Sequence, residues 1–135
     1  MAADLSPTDA EQIRQLLARF SHAFDNADTK ALGEVFAADG VLELARTGAV
    51  FSGLEDIRVF SRDLGNRSPD QHTLDSVLTA EPDGTVRGRS RYLAIQSDGT
   101  VYNGDYFDVY VRTEDGWRIA RRRSVPRYPL RAGEA

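Results

Sequence analysis

The sequence predicts an α+β fold: a cone-shaped barrel made by a strongly curved, mostly antiparallel sheet, with about three helices covering a central pocket. Three observations carry this. Residues 85–125 alternate in polarity over three long strands, broken at Ser97-Asp98-Gly99 and at Glu114-Asp115-Gly116. Residues 6–25 carry an apolar stripe at helical spacing, and the helical and strand patterns are segregated along the chain.

Taken in order, Ser6-Pro7-Thr8-Asp9 is a helix start: a hydroxyl cap, proline at the first helical position and acids toward the positive end of the dipole. Ile13, Leu16, Leu17, Phe20 and Phe24 then fall on one face, and the helix ends at Asp25-Asn26. A shorter second helix is expected from Asp28 through Leu32, Val35 and Phe36, stopped by Asp39-Gly40. Val41–Leu44 and Ala49–Phe51 form a hairpin around Arg46-Thr47-Gly48. Gly53 opens a third helix with Leu54, Ile57, Phe60 and Leu64 inward, and Gly65 closes it. A strand from Gln71 to Thr79 puts His72, Leu74, Ser76 and Leu78 on a common face, before the Pro82-Asp83-Gly84 turn.

In the long strands, the Ser97-Asp98-Gly99 loop pairs Ile95 with Val101, Leu93 with Asn103 and Arg91 with Asp105. A similar loop at Glu114-Asp115-Gly116 pairs Thr113 with Trp117, Val111 with Ile119 and Val109 with Arg121. Leu93, Ile95, Val101, Phe107, Val109, Val111, Trp117 and Ile119 then form the face that the first helix covers. Tyr92, Tyr102, Tyr106 and Tyr110 form the outer face, an amphipathic aromatic surface suited to a homodimer.

The length of 135 residues fits one domain, residues 1–135, and folding at this size hides roughly two thirds of the unfolded surface. The first five residues and the tail after Pro129 read as loose. A net charge of -4 gives no electrostatic reason to expect nucleic acid. The absence of cysteine excludes disulfides and thiolate metal sites, and two histidines without ligand spacing leave no motif for a metal or cofactor. Met1-Ala2-Ala3-Asp4-Leu5 has neither a basic region nor an apolar run, so no signal peptide or membrane span is expected, and the chain is expected to be cytoplasmic.

Acid–base chemistry remains. His72 is expected inside the hollow, where burial keeps its imidazole neutral and able to accept a proton; a structural hydrogen bond in the core accounts for it equally well. Asp25, at the end of the first helix, is the carboxylate placed to fix its tautomer. By helical spacing Asp25 lies on the flank of the apolar stripe, whereas His22 lies opposite it, exposed. Arg121 shares the face of Trp117 and Ile119 and should reach the hollow. Arg91, Asn103, Asp105 and Arg121 form a polar cluster along one wall, explained equally by ion pairing and by ligand binding. Phe20, Phe24, Leu44, Phe107 and Trp117 supply the apolar lining for a small molecule.

The run Ile13-x-x-Leu16-Leu17-x-x-Phe20-x-x-Ala23-Phe24-Asp25-x-x-Asp28, followed by Leu32-x-x-Val35-Phe36-Ala37-x-Asp39-Gly40, a strand near His72 and Asp115-Gly116-Trp117-Arg118-Ile119, resembles the SnoaL-like branch of the nuclear transport factor 2-like superfamily, a cystatin-like fold. The resemblance spans residues 8 to 127 and implies a cofactor-independent lyase or isomerase of dehydratase, dehydrohalogenase or cyclase type, or a non-catalytic binding or accessory domain. It implies an Asp25–His72 dyad with His72 as base and, as in the dehydrochlorinase type, an arginine within Arg121 to Arg123. It also implies a dimer through the outer sheet face. The dehydratase type has tyrosines and a second histidine where this chain has Phe24, Leu44 and about Gln96, so its proton-donating half is not reproduced.

Overall fold

A computed structural model describes residues 4–129. The tail beyond Pro129 lies outside the described residues. Two α-helices pack on one side of a six-stranded sheet. Helix α1 is Pro7–Asp25 and α2 is Leu54–Leu64; the strands are β1 Phe36–Leu44, β2 Ala49–Ser52, β3 Asp70–Ala80, β4 Val86–Ile95, β5 Val101–Thr113 and β6 Gly116–Tyr128. The sheet order is β2-β1-β6-β5-β4-β3, antiparallel throughout except for the parallel β1–β6 pair. No helix among the described residues is long and apolar enough to cross a membrane.

The helices begin and end where their chemistry dictates. Ser6 caps α1, its Oγ accepting from the Asp9 N–H at 3.1 Å, and Pro7 needs no donor in the first turn. The stripe Ile13, Leu16, Leu17, Phe20 and Phe24 is buried against the sheet. Gly65 ends α2 at a positive φ of 49°. The expected helix from Asp28 to Phe36 is instead a single 3₁₀ turn, Ala31–Glu34, and β1 starts at Phe36. Two α-helices and two short 3₁₀ turns therefore replace the three helices expected. Asp28 does cap, but onto Ala31, and the buried Leu32, Val35 and Phe36 anchor a turn too short to propagate.

The β4–β5 register is the one expected, with Ile95 opposite Val101, Leu93 opposite Asn103 and Arg91 opposite Asp105. The β5–β6 register differs near its turn. The loop is two residues, Glu114-Asp115, so Gly116 pairs with Thr113, Trp117 with Arg112 and Ile119 with Tyr110. The Thr113 hydroxyl secures this turn by accepting from the Asp115 N–H and donating to the Gly116 carbonyl. Residues opposite each other share a face, so Tyr110 lies with Ile119. The tyrosine face is consequently the interior: Tyr92, Tyr106 and Tyr110 are buried and Tyr102 is partly so. Ile95, Val101 and Phe107 are on the exposed convex side, which carries Arg87, Arg89, Arg91, Arg121 and Arg123 where the four tyrosines were expected.

Two bulges re-aim side chains within single strands. On β3 the register shifts between Leu74 and Val77, where Asp75 has a φ of 54°. His72 and Leu74 therefore point outward while Ser76 and Leu78 point inward, and the four do not share a face. On β6 the register passes from Ile119 opposite Tyr110 to Arg121 opposite Val109, leaving Ala120 as the extra residue. Beyond it, Arg122 turns in and Arg121 turns out.

Candidate functional site

The concave side of the sheet, roofed by α1 and α2, encloses a chamber of about 420 Å³. Phe20 and Phe24 from α1, Phe60 from α2, Leu42 and Leu44 from β1, and Tyr92, Tyr102 and Tyr106 from β4 and β5 form its wall. The rings hold one another. Tyr92 stacks on Tyr106 at 4.6 Å between centroids, Tyr102 meets Tyr92 edge-on at 6.2 Å, and Phe20 meets Tyr106 edge-on at 5.8 Å. The close approach of Tyr92 to β5 requires Gly104: a Cβ there would run into the Tyr92 ring and the Val125 carbonyl. Polar groups enter from Gln71, Gln96 and Ser124, and Arg46 and Arg67 stand among the lining residues.

Burial pushes the phenol pKa of Tyr92, Tyr102 and Tyr106 above the usual value, since a phenolate would lose its hydration there. All three are hydrogen-bond donors at neutral pH. The Tyr106 hydroxyl leans toward the Gln71 Oε1 at 3.4 Å.

Beneath Tyr106 lies a fully buried ion pair. Arg122 donates from Nε and Nη2 to the two oxygens of Asp108, each at 2.9 Å, and the Tyr110 hydroxyl donates to the same carboxylate at 2.6 Å. The guanidinium packs into the corner made by the rings of Tyr106 and Phe20, 3.9 and 4.2 Å from their centroids. Burial alone would favour losing the Arg122 proton; the Asp108 carboxylate more than offsets this, and the guanidinium stays charged.

Of the residues expected at the site, Phe20, Phe24 and Leu44 line the chamber. Asp25 and His72 do not. They sit with His22, Arg14, Ser21 and Thr73 in a separate open groove between α1 and β3, of about 490 Å³. Both Asp25 oxygens accept from the Gln71 backbone N–H, at 3.0 and 3.1 Å, so the carboxylate anchors the start of β3. Desolvation raises the Asp25 pKa, opposed by that hydrogen bond. His72 is exposed, because the chamber-facing position of this strand end is taken by Gln71. His22 is exposed as expected.

The expected polar wall is also outside. Asp105 is buried beneath three arginines on the convex face, with Arg91 at 2.7 Å, Arg89 at 3.6 Å and Arg127 at 3.7 Å. Arg121 is 55 % exposed and pairs with Glu43 at 2.6 Å. The Asn103 side chain accepts from the Tyr128 N–H, and Phe107 lies under Arg89 on the convex side. Trp117 is buried at the far end of the core, its Nε1 donating to Asp9 at 3.0 Å, away from the chamber lining.

Sequence reasoning missed Gln71, Phe60, Arg46 and the Asp108–Arg122 pair, and it assigned the lining tyrosines to the surface. Strand β4 held the corrective signal: Arg87, Arg89 and Arg91 alternate with Gly88, Ser90 and Tyr92, and three arginines in a row on one face belong in water. The β4–β5 pairing would then have turned Tyr106, opposite Ser90, inward.

Among the described residues no three His, Cys, Asp or Glu side chains cluster as a metal ion would require. The chain is 30 % identical over 126 residues to an uncharacterized protein of Mycobacterium tuberculosis, covering 85 % of this chain and 83 % of that one. A solved structure from Novosphingobium aromaticivorans, provisionally named an aromatic ring hydroxylase, is 25 % identical, with a TM-score of 0.80 and 95 % coverage of both chains. A second from the same organism, a nuclear transport factor 2-like protein with a cystatin-like fold, is 25 % identical, with a TM-score of 0.78 and coverage of 93 % of this chain and 86 % of that one. The model of the SnoaL-like domain matches residues 6–123, and the chain therefore belongs to the SnoaL-like family.

Proposed function

We propose that this chain takes a small, flat, oxygenated aromatic molecule into the inner chamber and acts on it as a cofactor-independent lyase or isomerase. The observation that carries the reading is the wall itself: six aromatic rings, three of them bearing hydroxyls that burial keeps protonated. Rings of that kind hold an aromatic ligand by its faces and edges. A phenol donor placed at a substrate carbonyl stabilises the enolate formed when a neighbouring C–H proton leaves, because the hydrogen bond strengthens as charge develops on oxygen. Dehydratases and cyclases occur in the SnoaL-like family, and a relative provisionally named for chemistry on aromatic rings is in keeping with an aromatic ligand.

The proton acceptor in this scheme is water, since no aspartate, glutamate or histidine is among the chamber-lining residues. The same observation favours a second reading, a binding or accessory domain without turnover. Solvent deuterium exchange at the carbon next to the carbonyl of 1-tetralone separates them. Under the first reading, native protein accelerates exchange well above buffer, and Tyr106→Phe with Tyr92→Phe slows it at least tenfold while leaving tetralone affinity within a few-fold. Saturable tetralone binding with exchange at the buffer rate would establish the accessory reading.

A further inference from the structure

The chamber's charge is one-sided. Its lining includes Arg46 from the β1–β2 turn and Arg67 from the 3₁₀ turn after α2, and no aspartate or glutamate. This is notable in a chain with 21 acidic and 17 basic residues. Nine other arginines are held in ion pairs: Arg58, Arg87, Arg89, Arg91, Arg112, Arg121, Arg122, Arg123 and Arg127. Arg14, Arg19, Arg46, Arg62, Arg67 and Arg118 have no ion-pair partner among the described residues, and of these Arg46 and Arg67 line the chamber. Arg67 is exposed and donates from Nη2 to the Asp63 carbonyl at 2.6 Å, a contact that leaves its charge unneutralised. Arg46 is half-buried, its guanidinium 5.9 Å from the Tyr102 ring centroid.

We infer that the chamber selects an aromatic acid, with its rings among Phe20, Phe24, Phe60 and the tyrosines and its carboxylate held by Arg46 and Arg67. The inference rests on the proposal that the ligand occupies this chamber. The physical basis is twofold. Two unpaired cations at one small hollow create a positive potential that an anion relieves and a neutral ligand does not. A guanidinium–carboxylate hydrogen bond is also about twice as strong as a neutral one. The apolar sleeve alone would accept neutral and anionic rings alike, so the arginines add discrimination by charge.

The test uses 2-naphthoate and its neutral counterpart 2-naphthamide, titrated calorimetrically at low ionic strength, with NMR contacts from naphthyl protons locating each probe. Native protein should bind naphthoate about tenfold more tightly than naphthamide, with contacts to the rings of Phe20, Phe24 and Phe60. Arg46→Gln/Arg67→Gln should reduce that preference to less than threefold with little change for naphthamide. Circular dichroism confirms that the double variant is folded, and each arginine tested alone supplies the fallback. Equal affinity for both probes inside the chamber overturns the aromatic-acid inference and leaves the chamber reading standing. A preference that survives in the double variant and disappears in Arg89→Gln/Arg123→Gln also overturns it, placing the anion on the convex face. Absence of contacts to the chamber rings for either probe removes the chamber reading together with the inference.

Discussion

Replacing Asp108 by leucine tests what the interior of this protein depends on. The carboxylate accepts from Nε and Nη2 of Arg122 at 2.9 Å and from the Tyr110 hydroxyl at 2.6 Å, and Arg122 has no exposed surface. Leucine supplies no acceptor, and the guanidinium, packed against the rings of Tyr106 and Phe20 with none of its surface exposed, has no water to replace it. Breaking a buried pair by removing one partner costs about 3–5 kcal/mol, and the stranded Tyr110 donor places Asp108→Leu at the upper end of that range. A domain of this kind is stabilised by about 5–15 kcal/mol in total, so the variant should be marginal. Urea unfolding followed by circular dichroism reads the effect. With a slope of roughly 1.5 kcal/mol/M, the midpoint should fall by about 3 M. The decisive comparison is Asp108→Leu/Arg122→Met, which also removes the charge and should recover most of the loss, leaving the Tyr110 donor as the main residual cost. A midpoint for the single variant within 0.5 M (roughly 0.75 kcal/mol at that slope) of native, or a double variant no more stable than the single, would refute the claim that uncompensated charge is the cause.

Two further outcomes follow from ionisation. The folded Asp25 pKa lies above its unfolded value, so its contribution favours the native state below the usual aspartate pKa and is lost as pH rises through the folded value. Asp25→Asn keeps an acceptor for the Gln71 N–H and does not titrate. Its stability relative to native protein should therefore rise between pH 3 and 7 in thermal unfolding, and a relative stability that falls over that range contradicts the assignment. The phenols of Tyr92, Tyr102, Tyr106 and Tyr110 are all raised, chiefly by burial, so their stabilising contribution is intact below the unfolded phenol pKa and lost above it. Absorbance at 295 nm should show these four ionising only together with alkaline unfolding; reversible ionisation of all four while the far-ultraviolet spectrum stays native would show that they are open to solvent.

The two α-helices and most of the strands were legible because they rest on local signals, whereas the helix expected from Asp28 to Phe36 is a single 3₁₀ turn. The Ser6-Pro7 cap, the Ile13–Phe24 stripe and the glycines around α2 act within a turn or two, and each matches the structure. The β4–β5 register was legible for the same reason, from the Ser97-Asp98-Gly99 loop. The candidate site was not, because the direction of a side chain on a strand depends on an uninterrupted count along it. Asp75, Ala120 and the two-residue Glu114-Asp115 turn each shift that count by one, which puts His72 and Arg121 outside and the tyrosines inside. None of these three shifts has a strong sequence signature: Asp75 is an aspartate in a left-handed conformation inside a strand, and Ala120 is a small apolar residue like many in a regular strand.

The extra residue at Ala120 makes the last strand behave like a reading frame. Inward side chains fall at Trp117 and Ile119 before it and at Arg122 after it, so deleting that alanine would straighten the ladder and leave Arg122 opposite Asp108.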